Sequence, residues 1–318
     1  MTGRDAGAGA RAAGSDPVGG DASVGGDTPA DRGVLYVVAT PIGNLSDVTL
    51  RALEVLAAVP LIAAEDTRLS KRLLDRHGIS GRMTSFHARS GPGRLASLLE
   101  HLRGGADLAL ITDAGTPVVS DPGADLVAAW AGEGGRVVPI PGASAVLAAV
   151  AASGVTGPRW SFEGFLPRSG RDRKDRIAAI AADDRGSVLF EAPGRVAATL
   201  RDLAATCGAE RTGAVCRELT KIHEEIVRGS LGELAAAAAG GTIPARGEFV
   251  LVVGMRGSGE GTVVSAGAAA SAQDALAAAL GEVQALVDAG TPRGEAAKRV
   301  AAATGLPRRR LYEVAEGS

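Results

Sequence analysis

The chain predicts an α/β protein built on a mostly parallel sheet. Short, continuous apolar runs alternate with helix-length segments, the pattern of strands buried on both faces by helices. Each run ends in a turn cluster rich in Gly, Pro, Asp or Thr. Of 318 residues 46% are apolar but only 3% aromatic, so the core has to be built from Ala, Val, Leu and Ile.

The elements follow in order. Residues 1–33 are Gly-, Ala- and Asp-rich with almost no large apolar side chains, and read as a disordered tail. Val34 to Val38 is a strand ended by Thr40-Pro41-Ile42-Gly43-Asn44. A helix follows, capped by Ser46 or Asp47, with Leu50, Leu53, Leu56 and Val59 on one face. Leu61 to Ala64 is a buried strand running into Glu65-Asp66-Thr67-Arg68, where a second helix starts near Thr67 or Ser70. Asp107 to Thr112 is a strand ended by Asp113-Ala114-Gly115-Thr116-Pro117, and Asp125 to Gly132 is helical. Arg136 to Ile140 is a strand that breaks at Pro141-Gly142 into a helix from Ser144 to Ser153.

A second α/β pattern begins after Gly157, so the first domain is placed at 34–155 and the second at 156–256. Ser161 to Phe165 is extended, Arg171 to Ala182 a basic helix, Ser187 to Phe190 a strand and Val196 to Cys207 a helix. Arg211 to Arg217, Glu224 to Gly229 and Glu248 to Gly254 read as further strands. Residues 257–271 form a Gly/Ala/Ser linker. Residues 272–318 form a helical appendix whose Glu295 to Val314 segment has helix-turn-helix spacing around Ala301, Gly305 and Leu311.

Charge and cysteine usage narrow the function. The net charge is −2, so any polyanion surface is a local patch. Cys207 and Cys216 make neither a disulfide scaffold nor a metal knuckle, and the four histidines have no zinc spacing, so no metal is expected. No apolar run approaches the roughly 18 residues of a membrane span, and no apolar leader opens the chain, which reads as soluble and cytoplasmic. No G-x-G-x-x-G or P-loop motif is present. Ligands of open α/β sheets sit beyond the carboxyl ends of the strands, and four such ends here carry polar turns with Gly or Pro. One such turn is only a loop; four on one edge point to a small-ligand cleft.

The motifs carry a resemblance. Leu35-Tyr36-Val37-Val38-Ala39-Thr40-Pro41-Ile42-Gly43-Asn44-Leu45-Ser46-Asp47 resembles the opening of bacterial enzymes, within the tetrapyrrole methylase superfamily, that methylate a cytidine ribose of small-subunit ribosomal RNA. Ala64 to Arg68, Thr112 to Pro117 with Ser120-Asp121-Pro122-Gly123, Glu163 to Pro167, and Arg217-Glu218-Leu219-Thr220-Lys221 follow in the family's order. The resemblance implies two α/β domains, a mostly parallel and a mixed sheet, with S-adenosylmethionine between them, and a homodimer. It implies cofactor contacts at Pro41, Ile42, Gly43, Asp113, Gly115, Thr116, Pro117, Val119, Ser144, Ala145, Phe190 and Glu191. It implies 2′-O-methylation of a cytidine in the decoding region of 16S rRNA, within the small ribosomal subunit.

Candidates for proton removal are Glu65, Asp66, Glu218 and Lys221; a neutral Lys221 would need its pKa depressed. Glu65, Asp66 and Arg68 read equally well as a structural ion pair at a helix start. RNA contacts are expected from Arg68, Arg168, Arg171, Arg173, Lys174 and Arg195, and from Arg308, Arg309 and Arg310 in the appendix. Three segments depart from the family pattern: Gly194 stands where it has His, His87-Ala88-Arg89-Ser90-Gly91 replaces H-x-H-N-E, and Ala143 ends a P-G-P turn. Two other readings stay open, a methylase of a tetrapyrrole-type small molecule and a catalytically impaired nucleic-acid-binding regulator.

Overall fold

The computed structural model describes residues 32–257, 278–304, 306 and 311–312. Most of the expected tail and linker, and Arg308 to Arg310, lie outside the described residues.

The first sheet holds β1 (Leu35–Val38), β2 (Leu61–Ala64), β3 (Met83–Ser85), β4 (Leu108–Ile111) and β5 (Val137–Ile140). Its order is β3-β2-β4-β1-β5 and every pairing is parallel. Parallel strands need crossovers, supplied by α1 (Leu50–Ala58), α2 (Thr67–Arg76), α3 (Pro92–Arg103) and α4 (Ala124–Gly132). Leu98, Leu102, Leu126 and Trp130 cover one face of the sheet; Ala52, Leu56 and Leu74 cover the other. With helices on both faces, β2 and β4 are buried at every position, which explains their unbroken apolar sequence.

The entry to α1 differs from the sequence expectation. Leu45–Asp47 is a single 3-10 turn with Asn44 at its cap, and α1 starts later, with the Thr49 side chain accepting from Ala52 N. Leu50 therefore points outward and is 80% exposed, while Ala52 takes the inner place. β3, α3 and the later helix α8 (Leu231–Ala239) were not anticipated from sequence.

After α5 (Ala145–Ser153), the second sheet holds β6 (Trp160–Phe165), β7 (Gly186–Glu191), β8 (Thr212–Arg217), β9 (Glu225–Ser230) and β10 (Phe249–Val253). Its order is β6-β7-β10-β8-β9, with β6 and β7 parallel and the other pairs antiparallel. One face packs on α6 (Gly170–Ala182), α7 (Val196–Cys207) and α8 through Ile177, Ile180, Leu200, Leu203, Leu231 and Leu234. The other face packs on α5, whose Val146 and Ala149 meet Val188, Ala214, Val250 and Val252. Ile42, from the loop after β1, joins that cluster, so two pieces of the first sheet's chain are buried against the second sheet.

Residues 278–288 (α9) and Arg293–Thr304 (α10) are helical. Ala279, Val283, Ala296, Ala297, Val300 and Leu311 form their own small core. Among the described residues no helix is long and apolar enough to cross a membrane.

Arg211 is an unexpected anchor of the second sheet. Its buried guanidinium donates to the carbonyls of Gly254 at 2.8 Å, Ile180 at 3.1 Å and Arg185 at 3.0 Å, tying the ends of β10, α6 and β7 together. Losing the donors strands buried carbonyls, each costing on the order of 1–3 kcal/mol. Arg211→Met is expected to lower unfolding free energy by about 3 kcal/mol in a urea titration; a change below about 0.5 kcal/mol, the size of an ordinary surface substitution, would show the anchor to be dispensable.

Candidate functional site

The carboxyl ends of β1, β4 and β5 open onto the second sheet, and a cavity of ≈ 410 Å³ lies where they meet. Two loops from the first sheet are pinned to each other at its edge. Thr40 N donates to Gly115 O at 2.9 Å and Gly115 N returns a bond to Thr40 O at 3.0 Å. The Thr40 hydroxyl also donates to Thr112 O at 3.0 Å. Gly115 has φ +84°, and a Cβ there would sit 3.4 Å from Ile42 Cγ2, tightening the cavity wall.

Ile42, Gly115, Thr116 and Val119 line the cavity from the first sheet's loops, and Ser144 and Ala145 from the start of α5. Phe190 and Glu191 line it from the end of β7. Pro41, Gly43, Asp113 and Pro117 do not reach it; they shape the loops behind it. Gly43 packs where a Cβ would be 2.4 Å from Lys221 Cγ, so it sets the approach of the two loops. The sequence reading missed Asp121, Phe165, Cys216, Glu248, Phe249 and Val250, which also line the cavity. For Asp121 and Phe165 a signal existed: both lie in motifs that carried the family resemblance.

Four non-glycine residues have left-handed backbone among those described, Val118, Ser120, Glu218 and Thr220. All lie in two loops beside this cavity. Such conformations cost on the order of 1–3 kcal/mol each and persist where surrounding contacts force them. Here the contacts are explicit. Glu218 N donates to Glu248 O, and Glu248 N donates back to Glu218 Oε1, both at 2.9 Å. The Thr220 hydroxyl accepts from Asn44 N at 3.1 Å.

Lys221 Nζ lies 2.9 Å from Glu218 Oε1 and 3.0 Å from Glu248 Oε2. Partial burial opposes the charge, but the hydrogen bonds that Lys221 donates to these two carboxylates, with their charge, outweigh it and raise the lysine pKa. Lys221 is therefore held as a cation, and the depressed pKa that a neutral lysine base would need is not what its surroundings produce. The Lys221 hydrogen bond likewise holds Glu218 below the usual carboxylate range.

Glu65 and Asp66 sit away from the cavity, at the end of β2. Glu65 Oε2 accepts from the Thr112 hydroxyl at 2.7 Å, and Asp66 N donates to Asp113 Oδ1 at 2.9 Å, joining the ends of β2 and β4. Asp66 also caps α2 and pairs with Arg68 at 2.7 Å, and that hydrogen bond holds its pKa down to about 2. Such a carboxylate is a poor proton acceptor near neutrality. Asp121 is different: burial, with the nearby charge of Glu65, pushes it up to about 6.

The basic residues divide. Arg168, Arg171 and Lys174 are exposed. Arg173 is not: it is 8% exposed, and its guanidinium pairs with Asp202 at 2.9 Å and donates to Thr199 Oγ1 and Pro167 O. That corrects its assignment as an RNA contact, because its donors are consumed inside the fold. Arg195 is mostly committed too, donating to Leu166 O at 2.9 Å and Pro167 O at 3.1 Å beside Glu191. Among the described residues no group of three or more His, Cys, Asp or Glu side chains could hold a metal ion.

The sequence pattern of the tetrapyrrole (corrin/porphyrin) methylases matches residues 34–235. The protein named ribosomal RNA small subunit methyltransferase I from Synechocystis is 42% identical over 284 residues, covering 89% of this chain and 97% of its own. The chain belongs to that family, within the tetrapyrrole methylases. The Mesorhizobium japonicum protein of the same name is 49% identical over 220 residues, covering 69% of this chain and 74% of that one. Among solved structures, a cobalt precorrin-4 methyltransferase of cobalamin biosynthesis superposes with a TM-score of 0.55 at 18% identity, over 70% of this chain and 94% of that chain. A uroporphyrin-III C-methyltransferase from Thermus thermophilus, solved with S-adenosyl homocysteine, gives 0.51 at 19% identity, over 70% and 97%. At these identities the likeness is one of fold.

Asp121 carries a stability signature. Its folded pKa lies above its unfolded value, so the folded state binds the extra proton between about pH 4 and 6, and stability falls as pH rises through that window. Asp121→Asn should therefore melt higher than wild type at pH 8, with the advantage vanishing below about pH 4. An advantage equal at both pH values would remove the buried charge as its cause.

Proposed function

We propose that this protein transfers a methyl group from S-adenosylmethionine to small-subunit ribosomal RNA, at the 2′-hydroxyl of a cytidine ribose. The observation that carries the reading is the cavity itself. It forms at the turns that the family resemblance assigns to the cofactor, in a chain whose full-length relatives bear the name of a ribosomal RNA methyltransferase.

The residues fit that cofactor. Its volume falls in the range of small-molecule sites, roughly 300–1,000 Å³. Ile42, Val146, Leu219 and Val250 offer apolar contact. The charged side chains lining the cavity are all acidic: Asp121, Glu191 and Glu248. Glu191 pairs with Arg195 and Glu248 with Lys221, so the attraction for a cationic ligand comes chiefly from Asp121. When bound, S-adenosylmethionine supplies a methyl group already activated by a sulfonium centre.

The chain's own task is then to place the hydroxyl and receive its proton. Placement alone supplies several of the roughly 7–11 kcal/mol available from orientation. Asp121 is the best proton acceptor on the cavity wall, since a carboxylate poised near 6 is ionised at neutral pH yet still basic. Lys221 acts as a fixed cation that holds Glu248 on the wall. Glu65 and Asp66 keep the role of holding the ends of β2 and β4. The exposed Arg168, Arg171 and Lys174, with Arg68 and with Arg308 to Arg310 outside the described residues, are the proposed phosphate contacts. By the same resemblance the substrate is the small ribosomal subunit, and the enzyme works in the cytoplasm as a pair of chains.

The test uses small subunits from a strain lacking this activity, labelled S-adenosylmethionine, and mapping of protection from alkaline cleavage. One protected cytidine is expected; label on a base, or none with the cofactor bound, would overturn the reading. In single-turnover assays Lys221→Met should lower turnover more than cofactor affinity, and an unchanged turnover would remove its part in the site. The wild-type rate should rise with pH through about 6, and Asp121→Asn should lose that limb with on the order of a 10²-fold lower rate. A retained limb would assign the proton to another group.

A further inference from the structure

Beside the first cavity lies a second, of ≈ 570 Å³, lined by Phe165, Leu166, Pro167, Arg168, Ala192 and Arg195. The two share Phe165 and Ala192 as walls. An acceptor group has to reach the first cavity from outside it, and the second cavity adjoins the first across these two shared residues.

Its wall is unusual for this chain. Only five phenylalanines exist in 318 residues, and three of them form one cluster here. Phe162 and Phe190 meet edge to face at 5.0 Å, and Phe165 leans on Phe190 at 5.5 Å. Phe165 is nonetheless 56% exposed. A register break between Phe162 and Phe165 on β6, with Gly164 at φ +60°, gives this placement. Bulges of this kind re-aim one side chain out of the strand's alternation. Burial would have been the ordinary fate of an aromatic; here the backbone is broken to hold a ring at an open wall.

The floor is rigid. Arg195 donates to both Leu166 O and Pro167 O, and Arg173 donates to Pro167 O at 3.3 Å. Arg168, exposed at the rim, adds positive charge. A fixed aromatic face, an apolar floor and a rim cation are what an unstacked nucleobase and its phosphate need.

We infer that the second cavity seats the base of the acceptor nucleotide, taken out of the RNA stack, against the ring of Phe165, with Arg168 at the adjoining phosphate. This rests on the methyltransferase reading above. Stacking pays for extrusion and presents the attached ribose to the first cavity.

The experiment compares small subunits carrying the intact acceptor nucleotide with reconstituted subunits whose acceptor is abasic, using wild type, Phe165→Leu and Phe165→Tyr, with cofactor affinity measured in parallel. Phe165→Leu keeps apolar bulk on the shared wall. It is expected to lower kcat/KM on intact subunits about 10-fold or more, with little further loss on abasic ones, while Phe165→Tyr stays close to wild type. Losses that are equal on both substrates would overturn the inference. So would a loss matched by weaker cofactor binding, or a changed oligomeric mass without coupling to the base. Wild type leaving intact subunits unlabelled would instead overturn the methyltransferase reading, and this inference with it.

Discussion

Helix α5 belongs by sequence to the first sheet and by packing to the second, and the cleft depends on that double membership. It leaves β5 through Pro141-Gly142, is capped by the Ser144 hydroxyl, and buries Val146 and Ala149 against β7, β8 and β10. At its other end Arg228 of β9 donates to Ser153 O at 3.0 Å and also to Ala152 O. A cation on the last carbonyls of a helix satisfies acceptors that have no partner within it. The helix is thus fixed at both ends, and its first turn becomes a wall of the cavity. Moving α5 would move Ser144 and Ala145 relative to Gly115 and so change the cavity before anything else.

The strained backbone is explained by the same closeness. Two sheets meeting over one small volume leave little room for relaxed loops. Val118, Ser120, Glu218 and Thr220 therefore adopt left-handed conformations that open solvent would not favour. Their cost is offset by bonds that only this arrangement provides, such as the reciprocal Glu218–Glu248 pair. Lys221 completes that arrangement, because its single cation bridges two carboxylates that would otherwise repel each other.

Much of the fold was legible because periodicity is a local property. The buried runs at Leu61 to Ala64 and Leu108 to Ile111 can be little else, and the turns that end them mark the strand edge where ligands gather. The gaps have physical causes. Met83–Ser85 is three half-buried residues on the sheet's edge, too short to show a period. Leu231–Ala239 is mostly alanine and carries no amphipathic stripe, although its capping box, Ser230 with Glu233, was a readable start signal. Arg173 looked like a surface cation because sequence counts charge and not burial. Asp121 lay inside a quoted motif, but what distinguishes it from Asp66 is its surroundings: an arginine beside one, and a half-buried wall beside the other.

The charges around the cavity show one further economy of construction. Glu191 accepts from the Thr199 hydroxyl at 2.6 Å and from Ala192 N at 2.8 Å, and pairs with Arg195 at 3.3 Å. The same guanidinium holds the Leu166 and Pro167 carbonyls, which floor the second cavity. One arginine therefore sets the wall of one cavity and the floor of the next, so neither can shift alone. The residue before it, Gly194, departs from the family's histidine, yet a Cβ there would meet nothing within 4 Å. The glycine is exposed, and the arginine beside it keeps its contacts to Glu191, Leu166 and Pro167. Whatever that histidine contributes elsewhere in the family, here the coupling between the cavities runs through the backbone carbonyls and a single buried carboxylate.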